Sequence, residues 1–209
     1  MKILILTSSS KFITRNNIDE YLPKKIGDCN IAYIITASKK VNDTGYLEKH
    51  KQKMDELGWD YTEIDIAGKN EEELKKELEG YDIVMVEGGN TFYLLKAVRE
   101  SGFDRVIKDL IEKGVVYIGA SAGSYIACPS IIMSTWSNTG FDRCGITDYT
   151  AMNLVPFLIK AHYTPDMKEV LEEKTKDVDY KTRILTDDQA IVVQGDTIKL
   201  LGGGEEIII

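Results

Sequence analysis

Short apolar runs rich in β-branched residues alternate with helix-like stretches from the N-terminus to residue 119. The runs are five or six residues long, a typical strand length, and the stretches between them are long enough for helices. Strands that alternate with helices in this way predict a mostly parallel central sheet with helices on both faces, an α/β three-layer sandwich. The strand-like runs span 2–7, 31–36, 61–66, 83–87 and 115–119, and the helix-like stretches span 46–57, 71–78, 92–101 and 105–113.

The pattern changes after about residue 180, where three strand-like segments follow one another closely. Their separators, Asp187-Asp188 and Gly195-Asp196, are typical turn residues and predict C-terminal β-hairpins. No repeat or linker interrupts the 209 residues, a length that one domain can accommodate, so we expect residues 1–209 to form a single domain. The three segments span 183–186, 190–194 and 197–201.

Composition limits the expected partners. The formal net charge of −8 argues against nucleic acid or an anionic membrane, because both are bound through clustered Lys and Arg. No apolar run approaches the ~20 residues of a membrane-spanning helix, and the N-terminal apolar segment is too short for a secretion signal. The three cysteines form no C-x-x-C pair, which suits a cytoplasmic location. Since the sequence shows no metal-ligand cluster or phosphate-binding glycine motif, we expect no metal, no cofactor and a small molecule or peptide as substrate.

The segment from Val115 to Ala127 combines an apolar strand, a G-x-S-x-G turn and a helix start. This is the context of a nucleophile elbow, in which a tight strand-to-helix turn presents a serine at the end of a sheet. Any side chain at Gly119 or Gly123 would obstruct such a turn. Ser121 is therefore the candidate nucleophile, although a small-residue turn that packs a helix onto a strand explains the same pattern.

A serine hydroxyl needs a general base, and the chain has only two histidines. His50 lies in the charged run 48–53, which predicts a solvated helix face. His162 follows the apolar stretch 154–159 and is the candidate base.

A second glycine turn, Glu87-Gly88-Gly89-Asn90, follows the apolar run that ends near Val86. The carboxyl ends of parallel strands meet along one edge of a sheet, so this turn and the Ser121 turn are expected to face one cleft. The N–H groups of Gly89 and of Ala122, directly after the serine, would then form an oxyanion hole. A plain strand-to-helix turn with Asn90 as the N-cap is the alternative explanation.

These motifs resemble those of peptidase E and its relatives, the S51 serine peptidases, which include the cyanophycinases. The resemblance covers most of the chain and implies a fold similar to class I glutamine amidotransferases, with serine in place of their cysteine. It also implies cleavage of small peptides near an acidic residue, a homodimer, Ser121 and His162 as nucleophile and base, and Gly89 and Ala122 as oxyanion donors. The motifs that carry it are Gly88-Gly89-Asn90-Thr91-Phe92, the segment 117–123, Asn153-Leu154-Val155-Pro156 before His162, and the spacing from Asn90 to Ser121.

One departure from the family pattern concerns the third triad member. Peptidase E has an aspartate fifteen residues after its serine, where this chain has Trp136. The acid that orients His162 is therefore open, with Asp142, Asp148 and Asp166 as candidates, and a backbone carbonyl or a water is the alternative.

A second departure concerns specificity. Peptidase E has an arginine-bearing segment shortly after its histidine, whereas no arginine lies between His162 and Arg183 here. Lysines in this interval bind carboxylates without the planar bidentate contact of arginine, and interleaved acidic residues predict a solvated helix face for them. Strict Asp-X cleavage is therefore not expected. The lysines are Lys168, Lys174, Lys176 and Lys181.

The sequence predicts a serine-type peptidase that hydrolyses small peptides through a Ser–His acyl-enzyme mechanism. Two alternatives stay open: an esterase or amidase with the same machinery, and a protein that keeps the fold but binds without cleaving. A glutamine amidotransferase is not favoured, because none of Cys29, Cys128 and Cys144 has elbow-like flanks.

Overall fold

A computed structural model describes residues 1–137 and 142–209 of the chain. Within these residues, seven strands form one central sheet and two form a small separate sheet. In chain order the strands are β1 (Ile3–Thr7), β2 (Asn30–Ile34), β3 (Asp60–Ile64), β4 (Ile83–Val86), β5 (Val116–Ala120), β6 (Leu158–Lys160), β7 (Thr182–Ile184), β8 (Gln189–Gln194) and β9 (Thr197–Gly202).

The central sheet has the strand order β3-β2-β4-β5-β1-β8-β9. Its first five strands are parallel, and β8 and β9 are antiparallel to their neighbours, which confirms the predicted mostly parallel sheet. Strands β4, β5 and β1 are adjacent, so their carboxyl ends lie side by side. The residues that directly follow these ends are Glu87, Ser121 and Ser8.

The helices cover both faces of the sheet, as predicted. Because successive side chains of a strand point to opposite faces, β1 sends Leu4 and Leu6 into one apolar core and Ile3 and Ile5 into another. Helices α3 to α7 contribute to the first core, and α1 and α2 to the second. The helices are α1 (Lys11–Arg15), α2 (Gly45–Glu56), α3 (Glu71–Glu77), α4 (Thr91–Ser101), α5 (Phe103–Glu112), α6 (Ala122–Ala127) and α7 (Lys168–Lys174).

Local capping explains where two of these helices begin. The Asn70 side chain accepts the N–H groups of Glu72 and Glu73 at the start of α3, and Asn90 caps α4 in the same way. Capping satisfies backbone donors that have no partner inside a helix, so it fixes the first turn. Among the described residues, none of the helices has the length and apolarity that crossing a bilayer requires.

The C-terminal region contains one of the two expected hairpins. Strands β8 and β9 pair around Gly195-Asp196, as predicted. The prediction of a hairpin at Asp187-Asp188 is wrong, because β7 pairs in parallel with β6 in the small sheet and not with β8. After β7 the chain crosses to the central sheet, where β8 pairs with β1. The Gln189 side-chain oxygen accepts the Thr186 N–H at 3.0 Å within this crossing. This crossing places Asp187 beside the carboxyl end of β1.

Candidate active site

The turn after β5 holds Ser121 in a strained backbone conformation with φ 49° and ψ −106°. Such dihedrals are rare for a residue with a side chain, and they persist only where the surroundings enforce them. The two glycines of the motif are required here: a Cβ on Gly119 would lie 2.6 Å from the Gly123 carbonyl oxygen, and one on Gly123 would lie 2.1 Å from that of Val86. The turn is therefore as tight as a nucleophile elbow requires, and the role of Ser121 as a nucleophile stays a prediction.

Ser121 lies at one end of a chain of hydrogen-bonded side chains. His162 Nε2 is 2.8 Å from Ser121 Oγ, and His162 Nδ1 is 2.6 Å from an Asp187 carboxylate oxygen. The Ser8 hydroxyl accepts the His162 backbone N–H at 2.7 Å and donates to the same Asp187 oxygen at 2.9 Å. The order of these hydrogen bonds matches the geometry of a Ser-His-Asp triad, with Ser8 bonded to both His162 and Asp187. The catalytic roles of these residues stay a prediction.

The charge of Asp187 is favoured by its surroundings. The hydrogen bond from His162 holds the pKa of this carboxyl below its ordinary value; partial burial opposes the shift, and the His162 charge, Ser8 and Lys11 add to it. A carboxylate that is ionised at neutral pH accepts the Nδ1 proton of the imidazole, so Nε2 is left free to accept a proton from the serine.

The three aspartates proposed from sequence do not hold this position, which is a correction. Asp142 accepts the Cys144 N–H at 2.8 Å, and Asp148 pairs with Arg99 at 3.2 Å. Asp166 is exposed in the turn before α7. Sequence reasoning missed Asp187 because the Asp-Asp pair between two strand-like segments is a typical turn signal. Trp136, which stands where peptidase E has its aspartate, is buried in the first core.

The Gly88-Gly89 turn after β4 contacts the serine. A Cβ on Gly88 would lie 3.1 Å from Ser121 Cβ and 3.7 Å from its Oγ. Gly89 has φ 142°, and a Cβ there would lie 2.4 Å from the Ala37 carbonyl oxygen, so only glycine fits. Ala122 is the first residue of α6, where backbone N–H groups have no intrahelical acceptor. The structure thus brings both predicted oxyanion turns to Ser121, and the donor role of their N–H groups stays a prediction.

His50 is not on a solvated helix face, contrary to the prediction from its charged neighbours. Its side chain is buried, and Nδ1 lies 2.8 Å from the buried carboxylate of Glu87. The charged residues around it in sequence face outward because α2 turns only one side towards the sheet.

A cleft of about 1010 Å³ opens over the triad. Its wall includes Lys160, which is buried and donates to Ser137 Oγ at 3.0 Å. Burial lowers the pKa of Lys160 to about 8. No carboxylate in residues 1–137 or 142–209 forms an ion pair with this ammonium, and the intervening Asn-Thr-Gly-Phe segment contains no acidic residue. The cleft therefore has a buried cation beside the triad.

The model of peptidase family S51 matches residues 4–201. The chain belongs to peptidase family S51. This S51 protein is 33% identical to an uncharacterized peptidase of Listeria monocytogenes, over 95% of this chain and 97% of the relative. It is 30% identical to the peptidase E of a Nostoc species, over 78% of this chain and 66% of the relative. The family resemblance drawn from the motifs is confirmed.

Solved structures give the same result for the S51 fold. A crystal structure of a provisionally assigned peptidase E protein from Listeria monocytogenes EGD-e superposes with a TM-score of 0.84 at 30% identity, over 98% of this chain and 100% of the other. A peptidase from an acI-B1 actinobacterium superposes with a TM-score of 0.67 at 14% identity, over 97% and 88%, which shows a shared fold. The α/β fold and the assignment to a peptidase family are thereby established.

Proposed function

We propose that this protein is a serine-type peptidase that hydrolyses small peptides through an acyl-enzyme on Ser121. The observation that carries the proposal is the continuous hydrogen-bonded series from Asp187 through His162 to Ser121, with distances of 2.6 and 2.8 Å. Family membership and a strained serine turn that tolerates only glycine around it support the same mechanism.

The proposed reaction has two steps. In the first, His162 takes the Ser121 proton as the oxygen attacks the peptide carbonyl, and then gives that proton to the leaving amine. The Gly89 and Ala122 N–H groups hold the oxyanion that forms, and each such donor typically contributes ~3 kcal/mol to the transition state. In the second, His162 removes a proton from water as the water oxygen attacks the acyl carbon. The bond from that carbon to Ser121 Oγ then breaks, His162 returns the proton to Ser121, and the carboxylic acid product leaves.

A preference for substrates with an acidic group belongs to the proposal. It is supported by Lys160, a buried ammonium without a carboxylate partner, since buried charges are normally paired and a substrate carboxylate would complete the pair. Five basic side chains line the cleft against three carboxylates, although the whole chain carries a net charge of −8. The other basic residues are Lys11, Arg15, Lys49 and Lys53, and the acidic residues are Asp43, Glu87 and Asp187. A cationic cleft in an acidic protein favours the approach of anionic substrates.

Two alternatives to a peptidase were drawn from the sequence: an esterase or amidase, and a protein that binds without cleaving. An esterase or amidase would use the same residues on another acyl group, and only substrates distinguish it. A protein that binds without cleaving was suggested by Trp136 at the family's aspartate position, but Asp187 now supplies a carboxylate to His162.

We also propose a cytoplasmic location, which the free cysteines Cys29, Cys128 and Cys144 support.

The first test is covalent labelling with a fluorophosphonate probe, read by intact mass. Wild type should gain one adduct, and Ser121→Ala and His162→Ala should gain none at the same time point. Ser9→Ala is the matched control, because Ser9 is a half-buried serine of the same cleft. A separate, unlabelled sample of wild type is then assayed on Asp-X, Glu-X, Asn-X and Gln-X dipeptides, because the adduct blocks Ser121. An unlabelled wild type would refute the serine mechanism, and equal rates on acids and amides would refute the acidic preference.

A further inference from the structure

A carboxylate lies buried directly behind the proposed oxyanion turn. Glu87 follows the last residue of β4 and is 2% exposed, although glutamate is almost never fully buried unless it is paired. Its two oxygens have different partners. One accepts the N–H of the next residue, Gly88, at 2.7 Å. The other accepts hydrogen bonds from Tyr33 of β2 and from His50 of α2, the latter at 2.8 Å.

The opposite side of the Gly88 peptide is held by the same helix. Tyr46 lies one turn before His50 on α2, and its hydroxyl donates to the Gly88 carbonyl oxygen at 2.9 Å. Residues four apart on a helix share a face, so α2 presents both side chains to the turn together. Both polar backbone groups of Gly88 are therefore occupied, the N–H by Glu87 and the carbonyl by Tyr46.

We call these contacts of Tyr46, His50 and Glu87 the clamp. The Gly88 N–H donates to Glu87 and so cannot donate to a substrate. Gly89 is held on its C-terminal side, where the N–H of Asn90 donates to the Ala37 carbonyl oxygen at 2.9 Å. The peptide between Gly88 and Gly89 is thus held at both ends. Its N–H belongs to Gly89, the proposed oxyanion donor.

We infer that Tyr46, His50 and Glu87 are positioning residues that set the orientation of the Gly88-Gly89 peptide, and so aim the Gly89 N–H at the oxyanion. The inference rests on the proposed function. All three side chains also line the cleft. In this inference they affect the rate through their hydrogen bonds to the turn, and so couple the placement of α2 to the rate of the chemical step. A donor displaced by a fraction of an ångström stabilises the transition state less, while binding of the ground state changes little.

The deciding variant is Tyr46→Phe, which removes one hydroxyl from a half-buried side chain and keeps its ring. Its matched control is Tyr61→Phe, because the hydroxyl of the half-buried Tyr61 also makes one 2.9 Å hydrogen bond, to Asp55, away from the turn. Two quantities are measured: the second-order rate of fluorophosphonate labelling, and the concentration of phenylboronic acid that protects against labelling. The adduct of phenylboronic acid with Ser121 is a tetrahedral anion that places a boronate oxygen at the oxyanion position.

We expect Tyr46→Phe to lower the labelling rate about tenfold, a fraction of the ~10²–10³ that loss of a whole oxyanion donor costs. Protection by phenylboronic acid should weaken by a similar factor, while labelling still reaches completion and the melting temperature matches that of Tyr61→Phe. A second pair tests the carboxylate: Glu87→Gln can still accept the Gly88 N–H and should lose less than Glu87→Ala.

The outcomes separate the two proposals. If wild type labels but Tyr46→Phe behaves like Tyr61→Phe, the clamp is refuted and the serine mechanism stands. The clamp is also refuted if the labelling of Tyr46→Phe stops short in proportion to lost folded protein, since that result reports stability alone. If wild type does not label, the proposed function fails, and the inference fails with it. Tyr46→Phe decides the matter even where Glu87→Ala does not fold.

Discussion

Replacement of Asp187 by asparagine tests the triad geometry most directly. Asparagine keeps the shape of the side chain and removes its charge. In a well-characterised Ser-His-Asp triad the same substitution favours the wrong imidazole tautomer and costs ~10⁴ in rate, as expected when the amide turns its NH₂ group towards the histidine. Here one Asp187 oxygen receives both His162 Nδ1 and the Ser8 hydroxyl, and the Ser8 proton is directed at it because Ser8 Oγ already accepts the His162 N–H. Two donors should keep the amide oxygen of the substituted side chain facing the histidine.

The expected loss is therefore that of the charge alone. The two side chains are 49% and 53% exposed. Because solvent screens such an exposed pair, we take an effective dielectric constant between about 40 and 80, above the ~20 that is usual for pairs near a protein surface. At the observed 2.6 Å, Coulomb's law then gives roughly 1.6–3.2 kcal/mol for a full imidazolium, or a rate loss of roughly 15- to 200-fold. Removal of the Ser8 hydroxyl frees the amide to rotate, and the double variant Ser8→Ala/Asp187→Asn should approach the ~10⁴ loss.

The assay is the second-order rate of fluorophosphonate labelling for wild type, both single variants and the double variant, which needs no knowledge of the natural substrate. A double-mutant cycle isolates the coupling between Ser8 and Asp187. A loss of ~10⁴ in Asp187→Asn by itself would refute the directing role of Ser8. A rate equal to that of wild type would refute Asp187 as the acid.

Two further predictions concern stability. Gly123→Ala places a methyl group 2.1 Å from the Val86 carbonyl oxygen, so it should destabilise the fold by about 3 kcal/mol or more. Gly27→Ala is the control and should be nearly neutral, because a Cβ there meets nothing within 4 Å. Urea unfolding compares the two variants, and equal midpoints would contradict the packing argument. Lys160→Met should be more stable than wild type at pH 7, because the folded protein holds the Lys160 pKa at about 8 against about 10.4 in an unfolded chain. Between these values the unfolded state binds more protons, so the stability of wild type rises with pH by up to about 3 kcal/mol and the advantage of the variant shrinks. Urea midpoints at pH 7, 8.5 and 10 measure this, and a constant difference would show that burial of the charge is not the cause.

The sequence by itself determined the sheet, most of the helices and the nucleophile turn. Runs such as 2–7 and 115–119 are locally apolar and short, and the Asn70 and Asn90 caps lie next to the helices they start, so local chemistry specifies them. The turn around Ser121 could be predicted, because a tight turn of this kind requires glycines at fixed positions around the serine. His162 followed from the scarcity of histidine.

Tertiary structure alone decided which carboxylate contacts His162, the burial of His50 and the absence of a hairpin at Asp187-Asp188. The partner of a strand depends on segments that are distant in sequence. Here β7 pairs with β6, whereas β8, which follows β7 in sequence, pairs with β1. That choice carries Asp187 to the carboxyl end of β1 and next to His162, over a separation of 25 residues. His50 likewise meets Glu87 across 37 residues. A local pattern cannot show such contacts, because the residues on either side of each one are those of an ordinary turn or of a charged helix face.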